Sequence, residues 1–205
     1  MSALMEHDEI LEAPAAVRNK HVITEALANV LPKSGILLEI GSGSGLHAVE
    51  FAKAFPELTI QPTDRFEAEI ASIKAYRGLS GLPNINEPEM FDLHGPDCPV
   101  DKADAMIAIN VIHISPWETT LALLRHAAAT LTPGSPLYLY GPFHRSDVAT
   151  SQSNLEFDMW LKSKDPSFGI RHLDDVATHA QDLGLSGPQV MEMPANNLSV
   201  VFTKI

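Results

Sequence analysis

Short apolar runs alternate with amphipathic stretches along this chain, which predicts strands and helices in turn. Apolar faces at helical spacing predict helices over residues 15–31, 46–55, 66–77, 117–130, 153–163 and 173–183. Mainly apolar runs predict strands over residues 35–40, 58–61, 84–92, 103–110, 136–141, 189–193 and 198–203. We expect the second strand to end at Asp64, Gly78 to close the helix 66–77, and Ser115 to cap the helix 117–130.

This order of elements is typical of an α/β domain with a mainly parallel sheet. Pro88 interrupts the third predicted strand, which places that strand at a sheet edge. The last two strands follow one another across residues 194–197 and form an antiparallel hairpin. The pattern predicts seven strands with helices on both faces, in one domain over residues 1–205. The N-terminal helical segment, residues 1–34, is expected to cover the ligand site.

A glycine-rich turn joins the first predicted strand to its helix. Gly41, Gly43 and Gly45 alternate with serines, and Glu39 stands two residues before the first of them. Such a turn lets a ligand lie against the backbone, and the following helix offers free N–H groups. A dinucleotide fingerprint needs G-x-G-x-x-G, but position 46 is Leu. The spacing therefore favours the Rossmann-like class I methyltransferase pattern, which binds S-adenosylmethionine (SAM).

Polar residues also follow the other predicted parallel strands. Asp64 lies about twenty residues after the glycines, where a carboxylate can bind ribose hydroxyls and would repel a 2′-phosphate. Asp92 ends the third strand, near the expected adenine, and Asn110 ends the fourth. Because ligands bind beyond the carboxyl ends of parallel strands, Gly41, Gly43, Asn110 and His113 are expected to converge on one crevice. His113 is either a general base or a buried structural histidine.

The composition of the chain limits the classes of partner that it is expected to bind. Acidic residues outnumber basic ones by 26 to 14, and the formal charge of −12 disfavours nucleic acid and anionic membranes. The apolar stretch 103–114 is too short to span a bilayer, and the first twelve residues lack a signal-peptide pattern. The single Cys98 suits a reducing cytoplasm, where we expect the protein. The nine histidines show no metal-ligand spacing, so no metal site is predicted.

Several stretches together resemble the methyltransferase-like 26 family. They are residues 14–19, 39–48, 61–64, 110–117, 140–143, 153–158, 165–171 and 193–197. The most particular are Asn-Val-Ile-His-Ile-Ser-Pro-Trp from position 110 and Met-Pro-Ala-Asn-Asn from position 193. The resemblance implies a SAM-dependent methyltransferase fold and cofactor without naming an acceptor. The chain departs from the family pattern in its glycine loop and at His172, where the family has Asp.

These arguments assign candidate residues to three parts of a site. The predicted cofactor residues are Arg18, Asn19, Glu39, Gly41, Gly43, Gly45, His47, Asp64, Asp92, Leu93 and Asn110. The predicted acceptor residues are Tyr140, Phe143, Asn154, Phe157, Asp158, Arg171 and Asn196. The candidate general bases are His113 and His144.

The function predicted from the sequence is SAM-dependent transfer of a methyl group to a small-molecule acceptor, with S-adenosylhomocysteine (SAH) as product. One alternative is a SAM-binding regulator or scaffold that transfers no methyl group. Another is a nicotinamide-dependent oxidoreductase, which the misplaced third glycine opposes. The sequence predicts neither the acceptor atom nor an oligomeric state.

Overall fold

The computed structural model describes residues 10–205. Seven strands form the main sheet: β1 Gly35–Ile40, β2 Leu58–Asp64, β3 Glu89–Met90, β4 Ala105–Ile109, β5 Pro136–Gly141, β8 Leu185–Met193 and β9 Asn197–Lys204. A separate short pair consists of β6 Phe143–His144 and β7 Arg171–His172. The helices are α1 Pro14–Leu27, α2 Leu46–Ala54, α3 Glu67–Ser80, α4 Trp117–Thr130, α5 Gln152–Lys164 and α6 Leu173–Asp182, with 3₁₀ turns at Val111–His113 and Pro194–Asn196.

The main sheet has the order β3-β2-β1-β4-β5-β9-β8. Strands β1 to β5 pair in parallel, whereas β9 runs antiparallel to both β5 and β8. The predicted mainly parallel seven-stranded sheet with a C-terminal antiparallel hairpin is therefore confirmed. The order reverses between β1 and β4, and the loops after these two strands leave the sheet at neighbouring positions.

Alternate side chains of the central strands enter two hydrophobic cores. On one face, Leu38, Met106 and Leu139 pack with residues of α4 and α6. On the other face, Leu37 and Ile107 pack with residues of α1 and α2. Because β1 and β4 are buried on both sides, both are mainly apolar in sequence, and only Glu39 interrupts the run in β1. The predicted placement of helices on both faces is confirmed.

Three predicted helix boundaries are wrong. The first predicted helix ends at Leu27 rather than at residue 31, because residues 28–30 form turns. Gly78 lies inside α3, and the helix ends at Gly81, which takes the left-handed conformation with φ of 62°. Ser115 does not cap α4: its hydroxyl donates to the Val111 carbonyl oxygen at 2.8 Å, and Pro116 occupies the N-cap position. A serine hydroxyl has several backbone partners within reach at such a turn.

The third predicted strand is much shorter than expected. Only Glu89–Met90 pairs with β2, and an isolated bridge joins Ile85 to Ile60. Its position at the sheet edge is as predicted, and Pro88, which lacks an N–H donor, directly precedes it. Within residues 10–205, no helix has the length and apolar character needed to cross a membrane.

Candidate functional site

A cleft of about 220 Å³ opens at the carboxyl ends of β1, β2 and β4, where the strand order reverses. Its lining residues are Ile40, Gly41, Gly43, Asp64, Arg65, Phe66, Glu69, Phe91, Asp92, Leu93, His94, Ile109, Val111, Ile114, Ser115 and Thr119. This is the place where a parallel α/β sheet binds its ligand. Five of the predicted cofactor residues, Gly41, Gly43, Asp64, Asp92 and Leu93, line this cleft.

The glycine loop brings bare backbone to the cleft. Gly43 has φ of 57°, a conformation that few side chains adopt. Within residues 10–205, and apart from Gly43 and its two chain neighbours, no atom lies within 4 Å of the position that a Cβ on Gly43 would take. The missing side chain therefore leaves free space in front of the backbone, as a ligand lying against this turn requires.

Asp64 ends β2 and faces this loop. Its Oδ2 accepts the Gly43 N–H at 2.9 Å, and its Oδ1 accepts the Arg65 N–H at 2.7 Å. The residue is buried except for the part that lines the cleft. A carboxylate has about four acceptor positions, so these bonds leave capacity for hydroxyl groups of a ligand.

Glu39, in contrast, lies behind the loop and does not line the cleft. Its Oε2 accepts the Ser42 hydroxyl at 2.7 Å, and the same hydroxyl oxygen accepts the Thr63 N–H at 3.2 Å. Burial raises the pKa of Glu39 to about 7, an effect opposed by the Ser42 hydrogen bond and reinforced by the charge of Asp64. Glu39 therefore holds the loop against β2.

We predict that Glu39→Gln stabilises the protein more at pH 8.5 than at pH 5. The raised pKa means that the folded state favours the protonated carboxyl, so ionisation costs stability as the pH rises from 4.5 through about 7. Gln cannot ionise but still accepts the Ser42 hydroxyl. The gain in unfolding free energy is expected to be about 2–3 kcal/mol larger at pH 8.5.

Urea unfolding at the two pH values measures this difference. Glu57→Gln, at an exposed carboxyl, is the matched control and is expected to show almost no pH-dependent change. An equal effect of Glu39→Gln at both pH values would contradict the prediction.

The far side of the cleft combines apolar surface with polar edges. Leu93 and Phe91 are buried, whereas the Asp92 carboxylate is exposed and accepts the His94 N–H at 2.9 Å. The His94 ring contacts the Thr119 hydroxyl at 3.0 Å. Such a slot suits a flat ring with polar atoms on its edge.

Asn110 and His113 are not among the residues that line this cleft. Asn110 has φ of 61° and donates its N–H to the Tyr140 carbonyl oxygen at 2.8 Å. His113 is fully buried, packs edge-on against Phe143, and has no hydrogen-bond partner for either ring nitrogen within the described residues. Burial lowers the pKa of His113 to about 3, so the ring is neutral near pH 7.

The other predicted cofactor residues lie on the α1 side of the sheet. His47 is buried, and its Nε2 lies 2.9 Å from Asn19 Oδ1. Burial lowers the pKa of His47 to about 4. Burial raises the pKa of Tyr140, and the nearby side chains of Asn19 and Asn197 oppose this effect. Arg18 is exposed.

No residue of α1 lines the cleft, so the expected covering by residues 1–34 stays a prediction. Residues 1–9 of that segment lie outside the described residues.

Three predicted acceptor residues, Phe143, Asn154 and Asn196, line a second cavity of about 90 Å³. Asn154 is buried and donates from Nδ2 to the Asn196 carbonyl oxygen at 2.9 Å. The cavity lies between the start of α5 and the turn that joins β8 to β9.

The other acceptor-side residues lie outside this cavity. Asp158 is a buried residue of α5, and Phe157 stacks on the exposed Trp160 with ring centroids 5.7 Å apart. Arg171 binds backbone carbonyl oxygens. His144, half-buried, bonds through Nδ1 to the Thr150 hydroxyl at 2.8 Å.

Sequence reasoning missed several cleft residues. Phe66 is 49% exposed although aromatic, and the Arg65 guanidinium lies 4.4 Å from its ring centroid. Ile114 is 51% exposed and also lines the cleft. Phe66 is a large apolar residue two positions after the end of β2, and this was the available signal, but the predicted helix 66–77 included it.

The sheet order and the cleft at its switch point define the class I methyltransferase fold. The chain is similar to an O-methyltransferase family protein from Burkholderia thailandensis, with a TM-score of 0.78, 16% identity, and coverage of 93% of this chain and 57% of that one. It is also similar to human N-acetylserotonin methyltransferase in complex with SAM, with a TM-score of 0.74, 18% identity, and coverage of 93% and 52%.

The chain belongs to the DUF938 family of proteins of unknown function, whose pattern matches residues 11–204. In sequence it is also similar to the ribosomal RNA small subunit methyltransferase G of Anaeromyxobacter dehalogenans, with 29% identity over 126 residues. That alignment covers 56% of this chain and 59% of the relative. The chain thus spans less than three fifths of the length of these relatives.

Proposed function

We propose that this protein is a SAM-dependent methyltransferase that acts on a small molecule. The observation that carries the proposal is the Asp64 carboxylate, which is held at the bare backbone of Gly43 inside the cleft. A carboxylate in this place has free capacity to accept both hydroxyls of a ribose. It would also repel the 2′-phosphate of NADP.

The remaining cleft residues fit the rest of an adenosyl group. Leu93, Ile109 and Val111 provide apolar surface for a purine ring, and the exposed Asp92 carboxylate can accept from an exocyclic amine. Gly41 and Gly45 complete the turn that carries Gly43.

The outer end of the cofactor is assigned to residues around α1. We include Arg18, Asn19, His47 and Asn110 as ligands for its amino-acid portion, with the exposed Arg18 guanidinium able to bind a carboxylate. Glu39 supports the loop from behind.

The acceptor is assigned to the β6–α5 side of the molecule. The second cavity supplies Phe143, Asn154 and Asn196. Tyr140, Phe157 and Asp158 complete the proposed acceptor region, whereas Arg171 supports this region through its bonds to backbone carbonyl oxygens. The formal charge of −12 supports a small-molecule acceptor over nucleic acid.

A cytoplasmic location is part of the same proposal. We also propose that the chain belongs to the methyltransferase-like 26 family, because its residues 110–117 and 193–197 resemble that family.

When bound, SAM supplies a methyl group that its sulfonium already activates. The protein then has to hold the acceptor in line and, for a protonated acceptor, take up a proton. His144 suits proton uptake better than His113, because its ring is half-buried whereas His113 is fully buried with a pKa of about 3. We therefore assign His144 as the base and His113 as the second candidate.

Calorimetric titration with SAH, NAD and NADP tests the cofactor assignment. We expect SAH to bind in the micromolar range and neither nicotinamide cofactor to bind. Binding of NAD in preference to SAH would refute the proposal.

Methyl transfer from labelled SAM is then screened against small-molecule pools and total RNA, with His144→Asn and His113→Asn as variants. Turnover on a small molecule separates an enzyme from a regulator that only binds SAM.

A further inference from the structure

Arg171 uses its guanidinium to hold backbone. Nε donates to the Ile112 carbonyl oxygen at 2.9 Å, and Nη2 donates to the carbonyl oxygens of Ser115 and, at 3.0 Å, Ser167. The side chain is half-buried, and Arg171 belongs to none of the ion pairs found among residues 10–205. The N–H groups on Nε and Nη2 of Arg171, which we call the Arg171 fork, therefore join separate segments of the backbone.

The two carbonyl groups at Ile112 and Ser115 belong to the loop that follows β4. This loop supplies one wall of the cleft through Val111, Ile114 and Ser115. The segment before Arg171 adds another bond, from the Gly169 N–H to the His113 carbonyl oxygen at 3.0 Å. This wall of the cleft is thus held by bonds from Gly169 and Arg171, neither of which lines the cleft.

The same segment is bound to α5. Asp158 is buried, and its Oδ1 accepts the Ile170 N–H at 2.8 Å while its Oδ2 pairs with Lys162 at 2.5 Å. Asp158 of α5 is therefore linked to the cleft wall by its hydrogen bond to Ile170, the peptide bond from Ile170 to Arg171, and the hydrogen bonds of the Arg171 side chain.

We propose that Arg171 is a positioning residue that sets the cleft wall after β4 and couples α5 to cofactor binding. This role rests on the proposed function, because it assumes that the cleft holds SAM. A ligand that moves α5 changes the position of Asp158, and the fork transmits that change to Ile112 and Ser115. Acceptor and cofactor then affect each other's affinity by the same factor.

Two variants separate positioning from simple support of the fold. Arg171→Met removes every donor but keeps an unbranched stem, whereas Arg171→Lys keeps the charge but cannot form the fork. Arg125→Met, at an exposed arginine of α4, is the matched control. We expect SAH affinity, measured well below the unfolding temperature, to fall about 10-fold in Arg171→Met and to fall to a lesser extent in Arg171→Lys.

Trp117 provides a second readout that simple support would not change. Its ring centroid lies 5.9 Å from Arg171 Cζ, and the chain has only one other tryptophan, Trp160. In a Trp160→Phe background, SAH is expected to shift Trp117 fluorescence, and Arg171→Met is expected to abolish that shift.

The outcomes distinguish this role from the proposed function. If the wild-type protein does not bind SAH, the proposed function fails and this role fails with it. If the wild type binds SAH and both Arg171 variants bind it equally well with an unchanged fluorescence shift, the positioning role alone is overturned. If Arg171→Met does not fold, Arg171→Lys decides by the same two measurements.

Discussion

Asp64→Ala is expected to weaken SAH binding by roughly 100-fold. Hydrogen bonds to a charged group contribute about 1.5–3 kcal/mol each, and the substitution removes the only carboxylate that is both buried and in the cleft within residues 10–205. It also leaves the Gly43 N–H without its acceptor, so the loop itself becomes less well positioned. Calorimetric titration at low temperature gives the change in dissociation constant.

Asp101→Ala is the matched control for this variant. Asp101 is exposed and precedes β4, so it lies at the opposite end of the sheet from the cleft. The control is expected to bind SAH as the wild type does. Unchanged affinity in Asp64→Ala, with a normal circular dichroism spectrum, would remove the main support for an adenosyl ligand.

Gly45→Ala is expected to lower the free energy of unfolding by roughly 2–5 kcal/mol. Gly45 has φ of 89°, which costs a residue with a Cβ about 1–2 kcal/mol. An added Cβ would also lie 2.9 Å from the Ile73 Cα, and backbone cannot move aside as a flexible side chain can. Crowding of this kind adds about 1–3 kcal/mol. Urea denaturation measures the loss.

Two further glycines make this prediction specific. Gly81→Ala carries the same backbone cost at φ of 62°, but no non-adjacent atom of residues 10–205 lies within 4 Å of its added Cβ, so its loss is expected to be about 1–2 kcal/mol. Gly43→Ala should resemble Gly81→Ala in stability but lose SAH affinity, because its methyl group would enter the cleft. Equal stability losses in Gly45→Ala and Gly81→Ala would contradict the steric argument.

The sheet and the cofactor cleft were predictable because their signals are local. The buried strands β1 and β4 are mainly apolar runs, with Glu39 as the one acid in β1, and the glycine turn follows β1 directly in sequence. Asp64 ends β2, and parallel strands bring their carboxyl ends to one edge of the sheet. Chain order alone therefore placed Gly43 and Asp64 in the same cleft.

The acceptor side was much less predictable because its contacts are distant in sequence. The pair of β6 and β7 has two residues in each strand, too few for any periodicity. The Arg171 side chain donates to backbone carbonyl oxygens that lie 56 and 59 residues earlier in the chain. The sequence around an arginine does not show that its N–H groups will bind backbone carbonyl oxygens. Similarly, the apolar spacing of α5 did not show that Asn154 and Asp158 are buried while Trp160 is exposed.

The two borders of the sheet affect how the protein behaves at high concentration. β3 offers only two residues for pairing, and in β8 the register shifts between Ser186 and Gln189, around Pro188, which lacks an N–H donor. Long, regular borders allow strands of separate molecules to join into fibrils, whereas short or irregular ones prevent this growth. Within residues 10–205, neither border is both long and regular, so the sheet is a poor template for extension by strands of neighbouring molecules.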